Sequence, residues 1–419
     1  MSGIEQRHSR RVVLGGLSAS VAGLAARRGA HAQSATPEAT PVAALPITTT
    51  PEEIAAIVEE AMATYHLKAC IARVVIDGRE LTTLARGESM NGVPATPEMH
   101  FRNGAVAISY VTTALLVLVD RGVVTLDDKL STWLPDLPDA DAVTLEMLAS
   151  MTAGYTDYVN LPAFNTANSL NPFRVWDPAE LIDYALEAGR FFAPGTNFAY
   201  SHTDIVILGL AIEKIAGKPL ADVLRELVLD PLGLVNTASW NTPYIPAPVL
   251  HAFSSERKAI LQIPADIPFY EESTFWNPSW TLARGSIQTT NIYDMTASAI
   301  AFGEGTLLTP DSHAAQISDK LAGFGHKVEG CATCMELSKQ AYYGLGIWTV
   351  GGWQLQNPLF AGFGSTLAYL TSRRLAIAVA ETSTPEAFDD QGNYLVFNAS
   401  QNVVRAIAAA LAPEAPIPG

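Results

Sequence analysis

The residue types that can attack, move a proton or hold a metal gather at a few places in this chain. Cys331-Ala332-Thr333-Cys334 begins five residues after His326, a spacing that fits metal ligands. A structural zinc needs four ligands, however, and the one other cysteine, Cys70, is distant in sequence. The same C-x-x-C fits an i to i+3 disulfide across a turn, the pairing an exported chain favours. Cys70 lies in an apolar run and is expected to be buried and inert. Ser109 has Thr112 three residues on, which is no base, so it is expected to fill core or surface rather than attack. No phosphate-binding loop, dinucleotide fingerprint or H-E-x-x-H occurs, and neither a metal nor a cofactor is expected.

The most informative stretch is Phe101-Arg102-Asn103-Gly104-Ala105-Val106-Ala107-Ile108, followed by a helix-like run to Val119, then Asp120-Arg121-Gly122 and Leu126-Asp127-Asp128. It resembles the serine β-lactamase and penicillin-binding protein family, in particular its class C β-lactamase and D-alanyl-D-alanine carboxypeptidase branch. There an F-R-x-G turn leads into S-x-x-K at a helix start. Three further segments are similar to family motifs in the same order: Val143 to Gly154, Pro194 to Thr203, and Asn277 to Trp280 with Gly285 to Thr290 and Asp294.

The spacing of S-x-x-K places a serine and a lysine on one helical face, so that the amine can activate the hydroxyl at a helix N-terminus that favours developing negative charge. The resemblance puts Ala105 and Ile108 on those two positions, which implies a site without nucleophile or activator. In the family's Y-x-N motif, Tyr200 remains as the remnant of a general base and His202 stands where asparagine is expected. Histidine can titrate, but it cannot donate and accept from one planar amide. The family's K-T-G or H-x-G strand precedes a segment like Ala361-Gly362-Phe363-Gly364-Ser365, which places Gln356, Asn357 and Pro358 on that motif. Leu359 would then offer the backbone N–H that, with that of Ala105, forms the family's oxyanion hole.

These residues need a scaffold. Apolar spacing predicts a helix over Pro51 to Thr64 with Thr50 as cap, strands over Ala69 to Ile76 and Leu81 to Ala85 joined by an Asp77-Gly78 turn, and a helix over Asp204 to Ala216 ending at Gly217. Tyr343 to Val350, Leu359 to Leu370 and Leu375 to Glu381 read as strands, and Asn398 to Leu411 as a last helix. The fold class expected is α/β (α+β): one antiparallel sheet built from both termini and flanked by helices, with an inserted, mostly helical domain. The sheet part is expected over about 48–124 and 322–415, and the helical part over about 125–321.

Arg10-Arg11 precedes a 15-residue apolar stretch, Val12 to Ala26, that ends near Ala30-His31-Ala32. Residues 1–32 thus read as a twin-arginine-like export signal, with an uncleaved anchor as the alternative, because the stretch is short of the ~20 residues of a spanning helix. Residues 33–47 read as a Pro-rich tether. Export to the periplasm, envelope or medium is expected, with no transmembrane span after cleavage.

Of 419 residues 48% are hydrophobic and 16% charged, the composition of a core-forming protein. With 26 basic and 42 acidic side chains the net charge is −16. Binding to nucleic acid, which rests on Lys and Arg neutralising phosphates, is therefore not expected. The partner expected is a small molecule or peptide in the former active-site cleft, or another protein, bound without catalysis. The alternative is a carboxypeptidase, esterase or β-lactamase that uses unforeseen residues.

Overall fold

The computed structural model describes residues 48–240 and 242–419, and the segments expected to be an export signal and a tether lie outside them. Helix α1 (Pro51–Tyr65) starts at Thr50, whose side chain accepts from the Glu53 N–H in a capping box. Strands β1 (Leu67–Ile76) and β2 (Arg79–Met90) follow, joined at Asp77 and Gly78, both with positive φ, as a two-residue hairpin turn demands. A short β3 (Val93–Pro94) ends this arm.

The C-terminal arm supplies β9 (Ala341–Tyr343), β10 (Trp348–Val350), β11 (Trp353–Gln356), β12 (Leu359–Phe360), β13 (Phe363–Leu370) and β14 (Leu375–Ser383). The antiparallel sheet runs β3-β2-β1-β14-β13-β11-β10-β9, with β12 paired to β13. The expected seam between the two ends of the chain is the β1–β14 pairing, from Ile76 opposite Leu375 to Leu67 opposite Ser383. Residues Tyr343 to Val350, expected as one strand, form two, because the chain turns back through Gly344 to Ile347 with Gly346 at φ 73°.

One face of the sheet packs under α1 and α10 (Ser400–Leu411), through Val58, Cys70, Val74, Ile377, Val403 and Ile407. The other carries α8 (Ile292–Glu304), and α2 (Val106–Asp120) shares the core on that side. Helix α8 falls in the stretch expected to be the helical domain, yet it lies on the sheet so closely that a methyl group at Gly303 would fall 1.9 Å from the Tyr369 ring. Between α2 and α8 run α3 (Leu145–Ala149), α4 (Pro162–Leu170), α5 (Pro178–Ala188), α6 (His202–Ala216) and α7 (Leu220–Leu224). Short strands β4 (Phe101–Arg102), β5 (Ala238–Ser239) and β8 (Gln288–Thr290) form a second sheet, and β6 (Phe253–Ser254) pairs with β7 (Glu271–Glu272). Helix α9 (Pro310–Gln316) completes the set, and α2 is packed among α6, α7 and α9.

Candidate functional site

The site is built outward from the start of α2. Asn103 fixes the approach, its backbone N–H donating to the Gln288 carbonyl and its side-chain Oδ1 accepting from the Gln288 N–H. Gly104 then reverses the chain at φ 48°. A side chain there would also collide, since an added Cβ would stand 2.5 Å from Pro358 Cβ and 3.6 Å from Phe360 Cβ. The strand β12 and its approach therefore press directly on the start of α2. Ala105 is the N-cap and offers no side-chain hydrogen bond. Helix α2 is mostly apolar and buried on every side from Val106 to Leu118, and Ile108 is fully enclosed in the core.

Ser109, one turn further, is fully buried. Its hydroxyl donates to the Gly346 carbonyl at 2.7 Å and accepts from Gln356 Nε2 at 3.2 Å, and that same amide nitrogen donates to Gly346 at 2.7 Å. The Thr112 hydroxyl turns back onto the carbonyls of Ile108 and Ser109. Ser109 is thus a core serine that holds the β9–β10 turn against α2, and no base touches it.

A second group flanks the first. Tyr200 precedes Ser201, the N-cap of α6, and His202 is that helix's first residue. The Tyr200 ring meets His202 edge-on at 5.5 Å and Tyr343 at 6.2 Å. Burial, with the Asp157 carboxylate beside it, pushes the Tyr200 phenol well above its ordinary pKa. Tyr343 stands between the two groups, and its hydroxyl is also raised by burial, with Gln356 acting in the opposite sense.

His202 has a partner that sequence reading did not assign. Its Nδ1 lies 3.1 Å from Oδ2 of Asp157, whose side chain is buried. Asp157 also accepts from the backbone N–H groups of Val159 and His202 and from Asn160 Nδ2. Because these contacts are donors, His202 Nδ1 is assigned the proton, which leaves Nε2 as the ring's acceptor; it has no protein partner among the described residues. Above the α2 start, Trp280 stacks on Phe360 with ring centres 5.5 Å apart and planes within 6°. Neither that stack nor Asp157 has a local pattern that announces it.

This geometry has a known setting. The pattern of the beta-lactamase family matches residues 54–401. The chain belongs to the beta-lactamase family. Penicillin-binding protein 4 of Amycolatopsis lactamdurans is 31% identical over 177 residues, 41% of this chain and 44% of that protein. D-alanyl-D-alanine-carboxypeptidase/endopeptidase AmpH of Escherichia coli (strain K12) is 29% identical over 187 residues, 42% of this chain and 46% of that protein. The chain spans under half the length of these curated relatives. In fold it is similar to D-amino acid amidase from Ochrobactrum anthropi SV3, with a TM-score of 0.71 at 20% identity, covering 86% of this chain and 98% of that one.

Of the residues expected at a family-like site, the structure brings Ala105, Gln356 and Pro358 to the α2 start and sets Tyr200 and His202 together. Gln356 is fully buried and its amide nitrogen is engaged within the protein, so it braces the site rather than facing a cleft. Leu359 is partly exposed and pairs with Gly364 across the β12–β13 hairpin. Asn357 is a correction. Side chains alternate along a strand, and Trp353 and Leu355 point toward α10, so Asn357 joins them and lines the small cavity with Val404 and Arg405 on the opposite face. Cys331 and Cys334 form a disulfide, and Cys70 is free and buried. Among the described residues no group of His, Cys, Asp and Glu could hold a metal, and no helix is long and apolar enough to cross a membrane.

Proposed function

We propose that this beta-lactamase family protein is exported and acts by binding a peptide, a cell-wall fragment or a protein partner, without forming an acyl-enzyme. The observation that carries this reading is the start of α2. Ala105 presents a methyl group where acyl transfer would need a nucleophile, Ile108 is sealed in the core one turn on, and the nearby Ser109 hydroxyl is bound to Gly346 and Gln356. Tyr200 and His202, at the start of α6, supply polar contacts for a bound ligand. The test is incubation with a fluorescent penicillin followed by intact-protein mass measurement, with no covalent adduct expected. A thermal-shift screen of muropeptide fragments should find a binder whose effect is lost in Tyr200→Ala. Stoichiometric acylation mapped to any residue near α2 refutes the reading.

One observation favours a hydrolase instead: Asp157 orients His202 as an acid–base catalyst is oriented, with Nε2 free of protein partners. Steady hydrolysis of p-nitrophenyl acetate that disappears in both His202→Gln and Asp157→Asn would promote that alternative. The export half of the reading is tested separately. Replacing Arg10 and Arg11 by Lys should stop export by a twin-arginine route, and the exported protein should begin at Gln33.

A further inference from the structure

Tyr343, whose ring meets Tyr200, also lines a cavity of about 270 Å³ that does not include Tyr200, His202 or Ala105. Its walls come from α3, from α9 and from the loop between α9 and β9. Met147, Ala315, Leu321, Phe324 and Leu345 make it mostly apolar. The loop wall is fixed in place: the Phe324 N–H donates to Leu321, its carbonyl accepts from Leu337, and the Leu345 N–H donates to Gln316. The space is preformed rather than opened by a ligand, as small-molecule sites usually are.

Two details define what fits. Ser150 and Thr152 line the cavity, are each over nine-tenths buried, and meet hydroxyl to hydroxyl at 3.0 Å. Two hydroxyls carry two O–H donors, and one contact engages only one of them. Among the described residues nothing else accepts from this pair, so one buried O–H remains for a ligand acceptor. Lys320 and Glu146 also line the cavity and pair at 2.7 Å. With these two charges paired, no unpaired charge on the wall offsets the desolvation of a charged ligand.

We infer that this cavity is a second binding site, which takes a small neutral molecule with an aromatic or compact apolar body and one oxygen acceptor, seated against the Ser150–Thr152 pair. The volume suits a substituted single ring, since roughly 150 Å³ of apolar cavity is known to admit benzene. The site is not isolated from the α2 start. Gly344 and Leu345 wall the cavity, and the next residue, Gly346, receives Ser109 and Gln356.

The test uses the mature protein with p-cresol as the neutral probe and benzoate and benzylamine as charged probes of similar size. p-Cresol at about ten times its dissociation constant should raise Tm by about 2 °C, and the charged probes should bind at least tenfold more weakly. Ala315→Trp fills the cavity and should abolish the p-cresol shift. Ser150→Ala with Thr152→Val nearly keeps the shape, removes both hydroxyls, and should weaken p-cresol about tenfold; it carries the test if the tryptophan variant does not fold. An absent shift with p-cresol, equal shifts in wild type and variants, or binding of all three probes alike overturns the inference.

Discussion

His202 Nδ1 and Asp157 Oδ2 are 3.1 Å apart, and this contact joins the first residue of α6 to a loop 45 positions earlier in the chain. Asp157 is buried and takes donors from Val159, Asn160 and His202. The pair therefore ties the Tyr200 segment to the loop before α4 as well as orienting an imidazole.

Asp157→Ala should consequently cost more than an ordinary surface change. It leaves several buried N–H groups without an acceptor, and each such loss at a charged partner costs on the order of 1–3 kcal/mol. Urea unfolding should show a loss of about 3 kcal/mol, while Asp157→Asn, which can still accept, should lose less. Equal stability of wild type and Asp157→Ala would mean that the carboxylate is not the anchor of this loop.

Restoring the family motif should be difficult for a reason visible in the core. Ala105→Ser adds a hydroxyl to a partly exposed helix start and should leave stability within about 0.5 kcal/mol. Ile108→Lys instead places an amine at a fully enclosed position and should cost about 3 kcal/mol or more. The double variant should label weakly with fluorescent penicillin and melt well below the single serine variant. Efficient labelling at undiminished Tm would show that the lysine reaches open space, contrary to the packing of α2.

Much of this architecture was legible because its signals are local. The Thr50 cap, the Asp77-Gly78 turn and the strand-like run of β14 each sit within a few residues, and the sheet from both ends follows from where the strand-like runs lie. What escaped depends on contacts remote in sequence. The Asp157–His202 pair and the Trp280–Phe360 stack join segments with no shared pattern. Asn357 was misplaced because a motif position, unlike the strand's alternation, does not say which face a side chain takes. The split of Tyr343 to Val350 hinges on Gly346, whose carbonyl is claimed by Ser109 on a distant helix.

The cysteines should divide cleanly. With Cys331 and Cys334 joined, alkylation of the native, non-reduced protein should modify neither. Cys70 lies in β1 fully enclosed, and burial beside Glu381 pushes its thiol well above the ordinary range, so it should react only on unfolding. Peptide mapping before and after denaturation checks both. Rapid native labelling of Cys70 would contradict the packing beneath α10.

The last prediction concerns Glu381, which faces Cys70 across the β1–β14 seam and is buried. Burial raises its carboxyl to about 8, although Ser383 and the Ser400 backbone N–H oppose the shift. A carboxyl whose folded value exceeds its unfolded value keeps its proton in the folded state while the unfolded chain loses it. Its favourable contribution is thus complete below the unfolded value, near 4.5, and is lost as pH rises through about 8. Across that window wild-type stability should fall with a slope approaching about 1.4 kcal/mol per pH unit from this group alone. Glu381→Gln has no proton to lose, so its unfolding free energy should lack that slope, and the variant should gain on wild type between pH 5 and pH 8. Urea unfolding of both proteins across that range decides the matter, and parallel curves would show that Glu381 does not titrate as its burial requires.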